Sequence, residues 1–364
     1  MNKSTTLEKC IPITKPFLPP YEEYITLLKE IWDRNWLTND GPLVKELERK
    51  LQEFLGVRHI VYVNSGTTAL QLAIRALTNR SEIITTPFSY VATTSSIVWE
   101  NCTPVYVDIH PETLNIDYQK IEESITNNTT AILATHVYGI PCDIENIKKI
   151  AQHFGLKVIY DAAHCFGTEY QGESIFQQGD ISITSFHATK LFQTVEGGAI
   201  ISDDEEMIEK IRLMRNFGHD GPYKFSGVGI NGKNSELHAA MGLCNLKYID
   251  EITSVRKNQC SVYDQYLQDS NLITPAYQSD FIYTYYPVIF ETEKILLKVF
   301  RALEEEGISS RRYFYPSLSS LDYVGEQCTP IADDLCKRVL CLPLYHDLTE
   351  SDQHIICKII LDNL

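Results

Sequence analysis

The sequence predicts an α/β fold, a mostly parallel sheet flanked by helices, followed by a smaller C-terminal α+β domain. Three observations predict it. Short apolar runs such as "HIVYV", "AILAT" and "KVIYD" alternate with amphipathic stretches from about residue 57 to residue 247. The strand runs are apolar on consecutive residues, as in a sheet covered on both faces. Beyond residue 247 the pattern changes to an alternating "FIYTYYPVIF" and the helix-like "EKILLKVFRALEEEG". The expected division is therefore residues 1–247, with a Pro-rich extended N-terminal segment, and residues 248–364.

Each element has a local reason. "PYEEYITLLKEIWDRNWL" and "GPLVKELERKLQEFLG" read as helices, the second with Leu43, Leu47, Leu51 and Phe54 or Leu55 on one face and Gly56 as its stop. Strands are then expected at "HIVYVNSG", "EIITT", "TPVYVDI", "TAILATHVYG", "LKVIYDAAH", "DISITSF" and "GGAIISDD". Helices are expected at "TTALQLAIRAL", "VATTSSIVWEN", "YQKIEESIT", "IENIKKIAQHFG", "DEEMIEKIRLMRNFG" and, unbroken, "SELHAAMGLCNLKYIDEI".

Composition narrows the function. The net charge of −16 over 364 residues argues against a nucleic-acid partner or an acidic membrane surface. No apolar run reaches transmembrane length, and the N-terminus has no signal-peptide core, so a cytoplasmic protein is expected. Its ten cysteines stand singly, without zinc spacing; buried free thiols are expected and no metal. Asn101-Cys102-Thr103 matches a glycosylation sequon, which has no meaning without secretion.

Ligands of such sheets gather outside the carboxyl ends of the strands. Three ends carry chemistry. At "NSGTTAL", Ser65, Gly66 and Thr67 open a helix whose N–H groups suit a phosphate; a plain helix cap explains the same residues. Asp161 follows an apolar strand, where a carboxylate needs a cation or donors; a cap or an ion pair also serves. Lys190 follows "DISITSF", and in a dry pocket a lysine becomes a Schiff-base nucleophile; a lysine reaching solvent is the plainer alternative. Together a phosphate seat, an acid for a pyridinium and an amine for an aldehyde describe pyridoxal 5'-phosphate. Gly197 and Gly198 then allow a close backbone approach.

The stretch "DAAHCFGTEYQG…GDISITSFHATKLFQTVEGGAI" resembles the DegT-like sugar aminotransferases, within the aspartate-aminotransferase-like fold type I of pyridoxal-phosphate enzymes. "WLTNDGPLVKELERKLQEFLGV", "NSGTTALQLAI", "TPFSYVATTSSI", "PVYVDIHPETLNID", "THVYGIPCDI" and "GINGKNSELHAAMG" extend the likeness over nearly the whole chain. The resemblance implies that Lys190 carries the cofactor, Asp161 pairs with its ring nitrogen, and His164 lies at the ring hydroxyl. It implies Tyr90 on the ring face and Gly66, Thr67 and Ser185 on the phosphate. It places Asn231 on the phosphate of a neighbouring subunit, hence a homodimer with active sites at its interface. Core packing of Tyr90 and His164 and a turn role for Ser185 are the alternatives.

The same resemblance implies amino transfer from L-glutamate to a nucleotide-linked keto sugar. A branch of the family that removes a sugar hydroxyl has histidine where "SFHATK" has Lys190. "IPITKPFLPP…NWLTNDGP" and "RRYFYPSL" resemble the subgroup acting at C4 of dTDP-4-keto-6-deoxyglucose, making an aminodeoxy sugar for a surface polysaccharide or O-antigen. Arg311 or Arg312 would then meet the diphosphate and Tyr315 the sugar. Many relatives have a histidine shortly after the Tyr-Pro pair, where this chain reads "PSLSS". A 3-aminotransferase, a UDP-sugar enzyme and a non-catalytic regulator of the same fold are the rivals. "GVGINGKN" formally matches a glycine-rich nucleotide motif, but no apolar strand precedes it, and it is read as the loop carrying Asn231.

Overall fold

The computed structural model describes residues 10–276 and 284–364. The first nine residues of the expected extended segment, and residues 281–283 of "FIYTYYPVIF", lie outside them.

Two helices open the chain, α1 (Tyr21–Arg34) and α2 (Pro42–Leu55). α2 begins with a proline at its first position and ends at Gly56, whose φ of 64° suits glycine. Leu43, Leu47, Leu51 and Leu55 are buried, so Leu55 rather than Phe54 completes the apolar face. There follow β1 (Ile60–Val63), α3 (Gly66–Leu77), β2 (Glu82–Thr85), α4 (Val91–Trp99), β3 (Thr103–Tyr106), β4 (Thr129–Thr135), α5 (Ile144–Phe154) and β5 (Lys157–Asp161). After a small hairpin, β6 (Glu169–Tyr170) and β7 (Glu173–Ser174), come β8 (Ile181–Ser185), β9 (Gly198–Ile201), α6 (Glu205–Arg215), α7 (Glu236–Leu246) and α8 (Ile249–Leu267). The chain closes with β10 (Tyr286–Ile289), α9 (Glu293–Glu305), α10 (Pro330–Arg338), β11 (Val339–Leu342) and α11 (Glu350–Asp362).

Seven strands form one sheet in the order β1-β9-β8-β5-β4-β2-β3. β9 alone runs against its neighbours. Side chains alternate between two cores: Ile60, Tyr62, Ile132, Ala134, Val158 and Tyr160 pack on one face, and Val61, Val63, Ala131, Leu133 and Ile159 on the other. Each fully buried Ile, Leu or Val among them contributes about 1.5–3 kcal/mol.

A third cluster, from Cys260 to Ile360, joins α8, α9, α11 and the β10–β11 pair, and Ile11 packs into it. A fourth sets Phe88, Val137 and Tyr138 against Phe314, Leu335 and Val339, fastening the C-terminal elements over the sheet's edge. No helix among the described residues is long and apolar enough to cross a membrane.

Three expectations are corrected, and one small hairpin is added. Residues 118–126 form two single 3₁₀ turns instead of a helix. The segment is short and ends in β-branched residues, which do not repay helix nucleation. The helix expected over 235–252 breaks at Tyr248, because Lys247 pairs with Glu23 of α1 at 2.6 Å and the Tyr248 hydroxyl donates to the same carboxylate. The strand read as "TAILATHVYG" stops at Thr135, where Asn115 Oδ1 accepts the Val137 amide at 2.9 Å and a 3₁₀ turn follows. The β6–β7 hairpin was not expected; its strands are two residues each.

Candidate active site

The parallel strands β1, β5 and β8 end at the same edge of the sheet, and β9, being reversed, begins there. Gly198 consequently pairs with both Val63 and Ser185. A Cβ at Gly198 would meet the Ser65 carbonyl at 2.6 Å, and one at Gly66 would meet Ser185 Cβ at 2.8 Å. Two glycines thus let three strand ends close together.

The Ser65 side chain accepts the Thr68 amide at 3.0 Å as the cap of α3. The amides of Gly66 and Thr67 remain as first-turn donors without intrahelical acceptors. A cleft of about 310 Å³ opens here, lined among others by Gly66, Thr67, Tyr90, Asp161, His164, Ser185, Lys190 and Arg311.

Asp161 is buried at the end of β5. Thr93 Oγ1 donates to its Oδ2 at 2.8 Å and the Ala163 amide to its Oδ1 at 3.2 Å. Burial raises its pKa, and these donors and Lys190 pull it back. His164 is buried, with its ring parallel to Phe314 at 5.9 Å and edge-on to Tyr285 at 4.8 Å. Burial holds it neutral, and among the described residues its Nδ1 has no hydrogen-bond partner.

Lys190 sits past the end of β8. Burial lowers its pKa to about 8, against the opposing pull of Asp161. Glu196 pairs with His187 at 3.6 Å, and Lys190 Nζ has a hydrogen bond to the Tyr285 hydroxyl, at 3.4 Å.

The remaining expected residues are placed differently. Tyr90 precedes α4 at the rim of the cleft, 55% exposed. Asn231 is exposed, bridges Asn216 through its backbone, and is not among the cleft's lining residues. Arg311 lines the cleft with its guanidinium over the Tyr313 ring at 4.9 Å. Arg312 bonds Glu293 at 2.6 Å and the Lys337 carbonyl at 3.1 Å, and stacks on Tyr315 at 3.6 Å. Neither Arg312 nor Tyr315 lines the cleft. Sequence reading missed Thr93, Tyr285, Tyr313 and Phe314; only Thr93 had a local signal, as one of the hydroxyl residues in "VATTSS" beside Tyr90. The glycine-rich segment 227–234 is a loop, tied by the Gly232 amide to the Arg215 carbonyl.

These residues fit pyridoxal 5'-phosphate. The helix start with Ser185 suits its phosphate and Lys190 its aldehyde. The buried Asp161 suits a cationic ring nitrogen, and the unpartnered His164 Nδ1 suits a ring oxygen.

A seven-stranded sheet of this order, with a lysine and a buried acid in one cleft at its carboxyl edge, defines an α/β enzyme of aminotransferase fold type I. Residues 21–361 match the DegT/DnrJ/EryC1/StrS aminotransferase family, and the chain belongs to it; it is an aminotransferase. It is 45% identical to a dTDP-4-amino-4,6-dideoxy-D-glucose transaminase of Shigella dysenteriae, over 95% of this chain and 96% of the relative. It is 42% identical to an Escherichia coli transaminase of the same name, over 98% and 100%. Among solved structures, DesI crystallised in the presence of its TDP-sugar product superposes with a TM-score of 0.92 at 30% identity, covering 97% of this chain and 93% of that one.

Proposed function

We propose that the protein transfers the amino group of L-glutamate to C4 of dTDP-4-keto-6-deoxyglucose, using pyridoxal 5'-phosphate. The observation that carries the chemistry is that Lys190 and Asp161 line one cleft. The likeness to two transaminases of dTDP-4-amino-4,6-dideoxy-D-glucose along almost their whole length supports the substrate.

Bound in the cleft, the cofactor supplies an aldehyde to capture the amino group and an electron sink for the charge left when the donor's α-proton departs. Gly66, Thr67 and Ser185 hold its phosphate. Asp161, braced by Thr93, keeps its ring nitrogen protonated. Tyr90 would cover the ring at the rim, and His164, held between Phe314 and Tyr285, would meet the ring hydroxyl. Lys190 Nζ, when free, would move the proton from the donor's α-carbon to the cofactor's C4′. A pKa of about 8 leaves part of this amine unprotonated near neutral pH, as a general base requires. Arg311 receives the diphosphate of the sugar nucleotide.

The exposed Asn231 belongs, in this reading, to the neighbouring subunit's phosphate site, so the working unit is a homodimer. Cofactor loss on Asn231→Ala together with a sedimenting dimer supports this; an active monomer contradicts it. A cytoplasmic location is in keeping with ten unpaired cysteines, eight of them buried.

The deciding experiment supplies glutamate with dTDP-4-keto-6-deoxyglucose, its 3-keto isomer or the UDP-linked sugar. 2-Oxoglutarate release and NMR of the product locate the new amine. An amine at C3, or turnover of the UDP sugar alone, overturns the substrate; absence of 2-oxoglutarate with every acceptor overturns the glutamate donor.

A further inference from the structure

We propose that Tyr285 is a positioning residue for Lys190, its hydroxyl holding Nζ in place whenever that amine is not covalently engaged. The inference rests on the reading of Lys190 as the cofactor-bearing amine. Among the described residues no carboxylate lies within ion-pair distance of Nζ, and the Tyr285 hydroxyl at 3.4 Å is its one side-chain hydrogen-bond partner. The ammonium also lies 6.0 Å from the centroid of the same ring. A freed lysine with four rotatable bonds needs such a tether to return to the reacting carbon.

Tyr285 is itself held. Its ring packs edge-on against His164 at 4.8 Å and Tyr313 at 5.3 Å, and tilts on Tyr138 at 5.9 Å. The hydroxyl therefore points to one place. Burial pushes its pKa up, so the phenol stays protonated throughout the working range. It donates to Nζ when the lysine is a neutral amine and accepts from it when the lysine is an ammonium.

The second bond is charge-assisted and the stronger of the two, so the hydroxyl favours the ammonium; this adds to Asp161, Tyr90 and Cys165, which oppose the burial that lowers Lys190. Asp161 and Cys165 near the end of β5, His164, Tyr90 before α4, His187 and Glu196 on the lysine's own loop, and Arg311 and Tyr313 from the C-terminal elements complete the groups around Nζ.

The test compares the wild type with Tyr285→Phe, which keeps the ring and removes only the hydroxyl. The full chain, freed of cofactor, is labelled with trinitrobenzenesulfonate across a pH series, and the peptide containing Lys190 is quantified by mass spectrometry. The labelling midpoint of Tyr285→Phe is expected to fall by about half a pH unit or more. In the loaded enzyme, the acid limb of the glutamate half-reaction shifts the same way. The maximal rate falls about tenfold while the KM for glutamate changes less. An unchanged midpoint overturns the proposal. So does a loss confined to Tyr285→Leu, which would show that the ring's packing alone matters. Lys190→Ala is read separately: if that variant keeps the visible absorbance of the cofactor and turns over, the lysine's own assignment fails, whatever Tyr285 does.

Discussion

Thr93 Oγ1 donates a 2.8 Å hydrogen bond to Oδ2 of Asp161, tying the first turn of α4 to the end of β5. The acid is buried, and a buried carboxylate without donors takes up a proton instead of holding a cation. The hydroxyl therefore preserves the charge that the cofactor's ring nitrogen requires. Thr93→Val keeps the shape and removes the donor. It is expected to lower kcat/KM about tenfold, corresponding to about 1.4 kcal/mol. It also speeds cofactor loss, read from visible absorbance after gel filtration. Asp161→Asn, which removes the charge, costs more.

Gly198→Ala tests the closeness of the strand ends. The new Cβ would lie 2.6 Å from the Ser65 carbonyl and 2.7 Å from the Gly66 nitrogen, both backbone atoms that cannot rotate away. Relief has to come from moving the start of α3 off the β9 edge. The expected result is a loss of about 1–3 kcal/mol in urea unfolding, with cofactor affinity reduced more than that of Gly56→Ala. Gly56 has a positive φ, unlike Gly198, and among the described residues a Cβ there meets nothing within 4 Å.

Much of this site was legible from sequence because it lies at strand ends. Asp161 and Ser185 close their strands and Ser65 stands two residues past the end of β1, and the parallel order brings those ends to one edge. What was not legible arrives from far along the chain. Tyr285, Tyr313 and Phe314 reach the cleft only because Phe88, Val137 and Tyr138 pack against the C-terminal elements. No local pattern announces such a contact. The helix break at Tyr248 has the same cause, a tertiary pull from Glu23 that overrides a continuous helical pattern. Arg311 and Arg312 were indistinguishable as neighbours until the fold sent one into the cleft and the other to Glu293.

His136 makes acid stability a measurable consequence of burial. Its ring is fully buried, stacks on Tyr160 at 4.5 Å, and accepts the Cys142 amide at Nδ1 over 3.0 Å. Burial lowers its pKa to about 3. The unfolded chain protonates this histidine below pH 6.5 while the folded chain does not, so stability is lost as the pH falls from 6.5 towards 3. Each unit in that window costs about 1.4 kcal/mol. His164 acts in the same direction, and Asp161, whose pKa is raised, in the opposite one. Comparison with His136→Gln, whose side-chain carbonyl can still accept the amide, cancels those common contributions. The urea midpoint of the variant is expected to fall less between pH 7.5 and pH 5 than that of the wild type. Parallel curves would contradict the neutral, buried histidine.

Adjacent arginines are expected to fail in different ways. Arg311 is exposed in the cleft, and its guanidinium rests on Tyr313 at 4.9 Å with room for an anion. Arg312 Nη2 donates to Glu293 and to the Lys337 carbonyl, and the guanidinium lies on the Tyr315 ring at 3.6 Å. Arg311→Ala should raise the KM for the sugar nucleotide by roughly 10- to 100-fold, the effect of losing a charge-assisted contact, with little change in Tm. Arg312→Ala should leave that KM near the wild-type value. It removes a partly buried pair joining α9 to the segment after it, and lowers stability by about 1–3 kcal/mol. Kinetics with the keto sugar nucleotide and thermal unfolding, run on both variants, separate the two roles. A KM defect in Arg312→Ala equal to that of Arg311→Ala would mean that the diphosphate draws Arg312 away from Glu293. The ion pair would then be a resting contact that gives way when the sugar nucleotide enters.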